Sequence, residues 1–269
     1  MTTRQERRAR QRAVRKRQRS LVQQGLPPER DKDGIMALAG LIRSALADTN
    51  NPQRAFDAAE LVYGVYETSA WRHPPQKKID CERGCAYCCH NLVTISAPEA
   101  FLITAWLDGT RRPVEGAPID IEMWRRKAAL AIGHSSINRL GEKVPCAFLE
   151  DGLCRIYKQR PLACRSCLSY SVEACRETFE GNEVEVDTPT EPIMLRSNIN
   201  FAMFAALRSL NYPAEGYELS EAVTRILNTQ DALTRWYVGE DVLAGVQTTN
   251  SWSPSVQQAL AEIAADIAP

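Results

Sequence analysis

Nine cysteines, Cys81, Cys85, Cys88, Cys89, Cys146, Cys154, Cys164, Cys167 and Cys175, carry the chemistry that this chain can do. All fall within 95 of its 269 residues, with none on either side. Cysteine used as a small core hydrophobe would be scattered, so the clustering implies a shared task. The count is odd, and no export signal places the chain where disulfides persist. Thiolate ligation of a metal ion is therefore the expected chemistry. Cys85 and Cys88 are two residues apart, which lets both sulfurs reach one tetrahedral ion at about 2.3 Å. Gly84 permits a left-handed turn just before that pair.

Neighbouring side chains tend to point apart, so the adjacent Cys88 and Cys89 are expected to suit two metals, a bridged cluster, or one ligand beside one free thiol. In the second group, Asp151-Gly152 signals a hairpin that would bring Cys146 and Cys154 side by side. Residues 155–157 read as a helical turn stopped before Pro161. Cys164 and Cys167 repeat the chelating spacing, and Cys175 lies in a helix expected from Val172 to Phe179. Arg83, Arg155, Lys158, Arg160 and Arg165 stand among the cysteines, as counter-charges for thiolates or as a solvated basic face. His90 is read as a hydrogen-bonded bystander, and Glu99 as the cap partner of Ser96.

Taken jointly, these segments resemble the YkgJ-type cysteine-cluster proteins, also called the CxxCxxCC family and described as zinc- or iron-chelating. The resemblance rests on Cys81-x3-Cys85-x2-Cys88-Cys89, residues 92–96 with Glu99, Pro145-Cys146-x-Phe148-Leu149, Gly152-x-Cys154-x-Ile156-Tyr157 and Arg160-Pro161-x-x-Cys164-Arg165. It covers about residues 78–180. Three residues separate Cys81 from Cys85 where the family name implies two. Cys167 falls where similar proteins carry another residue, and without it eight cysteines remain, enough for two four-ligand sites. The ligands implied are Cys81, Cys85, Cys88, Cys89, Cys146, Cys154, Cys164 and Cys175, holding zinc, or alternatively iron or an iron–sulfur cluster. Larger proteins with a similar cluster include flagellin lysine methylases, so a cluster-dependent methyl-transfer or redox enzyme is one alternative. Another is an interaction protein whose fold is stapled by metal. Against an enzyme, there is no Gly-rich cofactor loop, no GxSxG elbow and no paired His/carboxylate motif.

The elements that must position these thiols read as helices. Apolar residues recur on one face from Ile35 to Leu46, and Asn51-Pro52 opens a second helix. Ser96-Ala-Pro98-Glu99 is a capping box starting a helix that Gly109 ends. Further helices are expected over 119–132, 194–210, 218–227, 233–243 and 256–267, with residues 92–96 as one short strand. Trp106, Trp124, Phe204 and Trp236-Tyr237 are expected in the core. The fold class is mainly α, a helical scaffold around an irregular, cysteine-rich metal-binding lobe. The expected division is a basic arm (1–30), N-terminal helices (31–77), the cysteine-cluster domain (78–180) and a C-terminal helical region (181–269).

Net charge is zero, but residues 1–20 carry +8 and the remainder −8. The arm lacks an apolar stretch for export, so a cytoplasmic protein is expected. It would contact nucleic acid or an acidic partner weakly through phosphate-type attraction, and it has no aromatic residue for base stacking. No run of about 18 apolar residues is present, so no membrane span is expected.

Overall fold

The computed structural model describes residues 31–111, 118–249 and 252–268. The basic arm, and every expectation placed on it, lies outside the described residues. In chain order the elements are α1 (Lys32–Leu46), α2 (Arg54–Arg72), a 3₁₀ turn (Tyr87–His90), β1 (Thr94–Ile95), α3 (Ala97–Leu107) and α4 (Ile121–Ala131). Then follow α5 (Ser136–Gly141), β2 (Leu149–Glu150), β3 (Leu153–Cys154), α6 (Leu162–Arg165), α7 (Val172–Glu180) and α8 (Thr190–Ser209). The last are β4 (Tyr217–Glu218), α9 (Leu219–Leu227), α10 (Ala232–Tyr237) and α11 (Pro254–Asp266). The fold is mainly α. No described helix is long and apolar enough to cross a membrane.

Two compact units divide the chain, and neither is continuous in sequence. The first comprises the described parts of residues 1–74, 194–214 and 252–269. In it α1 packs on α2, because Ile35, Leu38, Ile42 and Leu46 recur on one face of α1 and are all buried. Phe204 of α8 meets Trp252 edge-on, with ring centroids 5.5 Å apart.

The second unit comprises the described parts of residues 75–193 and 215–251, and it contains every cysteine. Its centre is α3, in which every residue is buried. Helix α9 packs across α3 and also against α4, burying Leu219, Ala222, Val223 and Ile226 on one face. Phe101 of α3 stacks on Trp236 of α10 at 5.3 Å, and Trp124 of α4 on Phe148 at 5.5 Å. Strands β1 and β4 form an antiparallel ribbon, with Thr94 opposite Glu218 and Ile95 opposite Tyr217. The expected strand at 92–96 is this β1, and its partner comes from residues expected only to start a helix.

Three other expectations are corrected by the structure. The helix expected over 233–243 ends at Tyr237, because Gly239 takes a φ of +94° and the chain turns there. Residues 155–159 form successive turns and not a helix, closed by Tyr157 N–H to the Cys154 carbonyl (3.2 Å) and Gln159 N–H to the Ile156 carbonyl (2.9 Å). Trp106, Trp124, Phe204 and Trp236 are core residues, whereas Tyr237 is only half-buried.

Candidate metal centre

Gly84, at φ +102°, starts the first cysteine segment, and the Cys85 N–H closes a turn on the Glu82 carbonyl at 3.1 Å. The 3₁₀ turn follows, with Cys89 N–H bonded to the Ala86 carbonyl (3.0 Å) and Asn91 N–H to that of Cys88 (3.1 Å). Just upstream, Cys81 is fastened to the stretch that leads into α7. The Ser169 N–H donates to the Cys81 sulfur at 3.1 Å, and the Asp80 N–H to the Ser169 carbonyl at 3.1 Å. The Asp80 carboxylate accepts the Val172 N–H at 2.9 Å, where the free amides of the helix start favour an anion. Helix α7, which carries Cys175, is held on the 3₁₀ turn by Phe179. Its ring lies 5.6 Å from Tyr87 and 4.6 Å from His90, with the Lys143 ammonium 4.8 Å from the same ring.

The second cysteine segment joins the first directly, by a Cys146 N–H bond to the Cys89 carbonyl at 2.8 Å. From there Asp151 (φ +48°) and Gly152 (φ +76°) make the expected two-residue hairpin, which sets Leu149 opposite Cys154. The Arg155 N–H bond to the Phe148 carbonyl (2.9 Å) extends that pairing toward Cys146. Helix α6 brings in Cys164 and is tied to the core by Glu99. One oxygen of this buried carboxylate accepts the N–H and hydroxyl of Ser96, each at 2.9 Å. The other accepts the Leu162 N–H at 3.0 Å. Glu99 is thus the cap partner of Ser96, and in addition a strut between α3 and α6. Glu99→Ala should cost about 2–4 kcal/mol, because it strands buried donors, and should loosen α6 more than α1. Urea denaturation and hydrogen exchange at residues 162–165 would measure both.

Residues 80–185 match the model of the CxxCxxCC family, "Putative zinc- or iron-chelating domain". This stretch is a CxxCxxCC domain. No curated protein and no solved structure matches the chain.

All nine cysteines of the CxxCxxCC domain are free thiols, and only Cys146 and Cys167 fall outside intermediate exposure, the first buried and the second exposed. Cys88 is the hub. Cys167 and Cys89 donate to its sulfur, and these bonds hold its pKa well below the usual thiol range. The same bonds push Cys167 and Cys89 well above the usual thiol range. Burial raises Cys146 to about 11, and it also raises Cys81, Cys85, Cys154 and Cys164. Backbone amides oppose burial at several of them. The N–H of Tyr87, Phe148 and Ile156 donates to the sulfur two residues earlier, at Cys85, Cys146 and Cys154. Arg160, stacked 4.1 Å over Tyr157, favours the thiolates of Cys88, Cys154 and Cys164, and Arg83 that of Cys154. Arg165 is buried and instead holds the carbonyls of Arg160 and Lys158, at 2.7 and 2.6 Å. Arg155 pairs with Glu150.

Among the described residues no three Cys, His, Asp or Glu side chains are arranged to hold an ion as they stand. The donor set nevertheless fits a soft metal. It is all sulfur, drawn from two joined segments, and backbone N–H groups already point at four of the sulfurs. His90 turns its Nδ1 toward the carbonyls of Ala86 (3.2 Å) and Tyr87 (3.3 Å) and stacks on Phe179. Cys167, which the resemblance sets aside, touches Cys88. The roles of Ser169 and Asp80 carry no signal in the sequence, because a backbone amide and a short carboxylate serve there.

Proposed function

We propose that the CxxCxxCC domain binds zinc, or alternatively iron, through thiolates of Cys81, Cys85, Cys88, Cys89, Cys146, Cys154, Cys164 and Cys175. The observation that carries this reading is the Cys146 N–H bond to the Cys89 carbonyl, which unites two cysteine segments far apart in sequence. A bound ion would supply the cross-link that a lobe of free thiols and two-residue strands otherwise lacks. The chain's own part is to gather the sulfurs and to lower the cost of their ionisation. Amides of Tyr87, Phe148, Ile156 and Ser169 donate to sulfur, and Arg160 and Arg83 add positive charge. Thiols that burial holds protonated must release protons on loading, so affinity should rise steeply with pH.

Protein purified without oxygen and analysed for elements tests the reading. Zinc bound to a colourless sample supports the first choice. A brown sample holding iron and acid-labile sulfide supports an iron–sulfur cluster, for which the adjacent Cys88 and Cys89 are suited. A chain that takes up neither metal, even on reconstitution, overturns it.

A further inference from the structure

The bond between Cys146 and Cys89 is one link of a closed circuit, and the link opposite it is a buried ion pair. Two residues before Cys146, the Val144 N–H donates to the Arg139 carbonyl at 2.9 Å. The Arg139 side chain in turn donates from Nη1 to Glu218 Oε1, also at 2.9 Å. The residue after Glu218 carries the path onward, since the Leu219 N–H donates to the Val93 carbonyl at 3.0 Å. Glu218 itself stands opposite Thr94 in the β1–β4 ribbon. Cys89 lies four residues before Val93, and its carbonyl accepts the Cys146 N–H at 2.8 Å, which closes the circuit. Both cysteine segments are thus fixed to Glu218, the first through the strand that leaves it and the second through the helix that leads into it.

Stability alone does not call for a charged pair at this place. The side chains of Arg139 and Glu218 are each 1% exposed, and apolar side chains of similar size commonly hold a core as well as a buried ion pair does. The Arg139 Nε and Nη2 atoms have no partner among the described residues, so a fully buried guanidinium is spent on a single link. The best-attested use of such a pair is to fix register. Here the register is that of Cys146 against Cys89. Glu218 also caps α9 through the Glu221 N–H, and its own N–H donates to the Gln247 carbonyl at 3.0 Å. The stretch 215–251 that holds it in place contains no cysteine.

We propose that Arg139 and Glu218 are positioning residues for the metal centre, and that through them metal loading of the cysteine lobe is coupled to docking of β4 and α9. The proposal rests on the metal-binding reading above and adds its regulation by a cysteine-free part of the chain. With β4 and α9 docked, the circuit is closed and the two cysteine segments are held in register. With them undocked, the Cys146–Cys89 bond loses the support of the opposite link. Coupling of this kind is reciprocal, so metal must favour the docked state by the same factor by which docking favours metal.

The test uses the full-length protein, zinc, and the double variant R139M/E218Q. The two substitutions together remove the cross-link without leaving a buried charge, and the amide oxygen that E218Q supplies can still accept the Glu221 N–H. Metal-free, the double variant should unfold near the wild-type urea concentration. Its zinc affinity, read by chelator competition, should fall about 10–100-fold, the usual cost of losing an outer-shell partner. In the wild type, zinc should slow hydrogen exchange at the Leu219 and Glu221 amides by a similar factor. At α10, in the same unit but outside the circuit, it should do so by much less. The double variant should lose that difference. Wild-type zinc affinity in a folded double variant overturns the proposal. So does zinc that protects α10 of the wild type as much as α9, a result that stands even if the variant misfolds. Either result leaves metal binding intact. A wild type that takes up neither zinc nor iron overturns the binding reading itself, and one that takes only iron is measured with iron in place of zinc.

Discussion

Cys146→Ser should lower the affinity for metal by well over the roughly 10–100-fold that loss of an outer-shell partner costs, since it removes a thiolate itself. Cys146 is buried, accepts the Phe148 amide, and sits where the two cysteine segments are joined. Structural zinc sites supply roughly 10–16 kcal/mol of apparent binding free energy at neutral pH, so the stability of residues 80–185 should fall with the affinity. Chelator competition would read the first effect and hydrogen exchange over 80–185 the second. Cys85→Ser, Cys88→Ser and Cys164→Ser should behave in the same way. Cys167→Ser should retain most of the metal, because the residue is exposed and its described contact is the bond to Cys88. In metal-free protein the variants should differ far less from the wild type. Equal metal content in all five would contradict the ligand assignment.

Arg139→Met should destabilise the metal-free protein by about 3–5 kcal/mol at neutral pH, through the charge it leaves behind. Arg139 and Glu218 are each 1% exposed and paired at 2.9 Å, and the second oxygen of Glu218 caps α9 by accepting the Glu221 N–H at 2.8 Å. Burial raises the Glu218 pKa above its ordinary 4.5, and Arg139 is the main side chain that opposes the shift. Without the guanidinium the folded-state pKa climbs further. A carboxyl whose pKa is raised by folding favours the fold below its unfolded value and loses that benefit as pH rises through the folded value. The variant's deficit should therefore shrink as pH falls toward 4.5. Adding Glu218→Gln should recover much of it at neutral pH. Urea denaturation at several pH values would measure the slope, and a deficit independent of pH would point to lost packing alone.

Elements governed by local signals were legible in the sequence. The α3 capping box, the Asp151-Gly152 turn and the apolar stripe of α1 depend on residues within one or two turns of each other, so pattern and propensity suffice. The clustering of the thiols was legible because cysteine serves few purposes and its spacing is readable. What escaped depends on distant partners. The β1–β4 ribbon pairs two dipeptides too short to alternate visibly, and Glu99 reaches Leu162 because tertiary packing places α6 there. Nothing local to Arg139 marks a partner at Glu218, 79 residues on. Cys167, set aside on the resemblance, stands in contact with Cys88, a neighbour that its spacing from Cys164 does not name.

Strand β4 and helix α9 complete the second unit, yet they follow the segment 194–214 that belongs to the first. As the polypeptide leaves the ribosome, all nine thiols therefore emerge before Tyr217 arrives to pair with Ile95 and before α9 can cover α3. Pairings between remote residues form late, because closing a long loop costs entropy before any contact repays it. Throughout that interval the nascent chain presents a row of sulfurs with its roof not yet built.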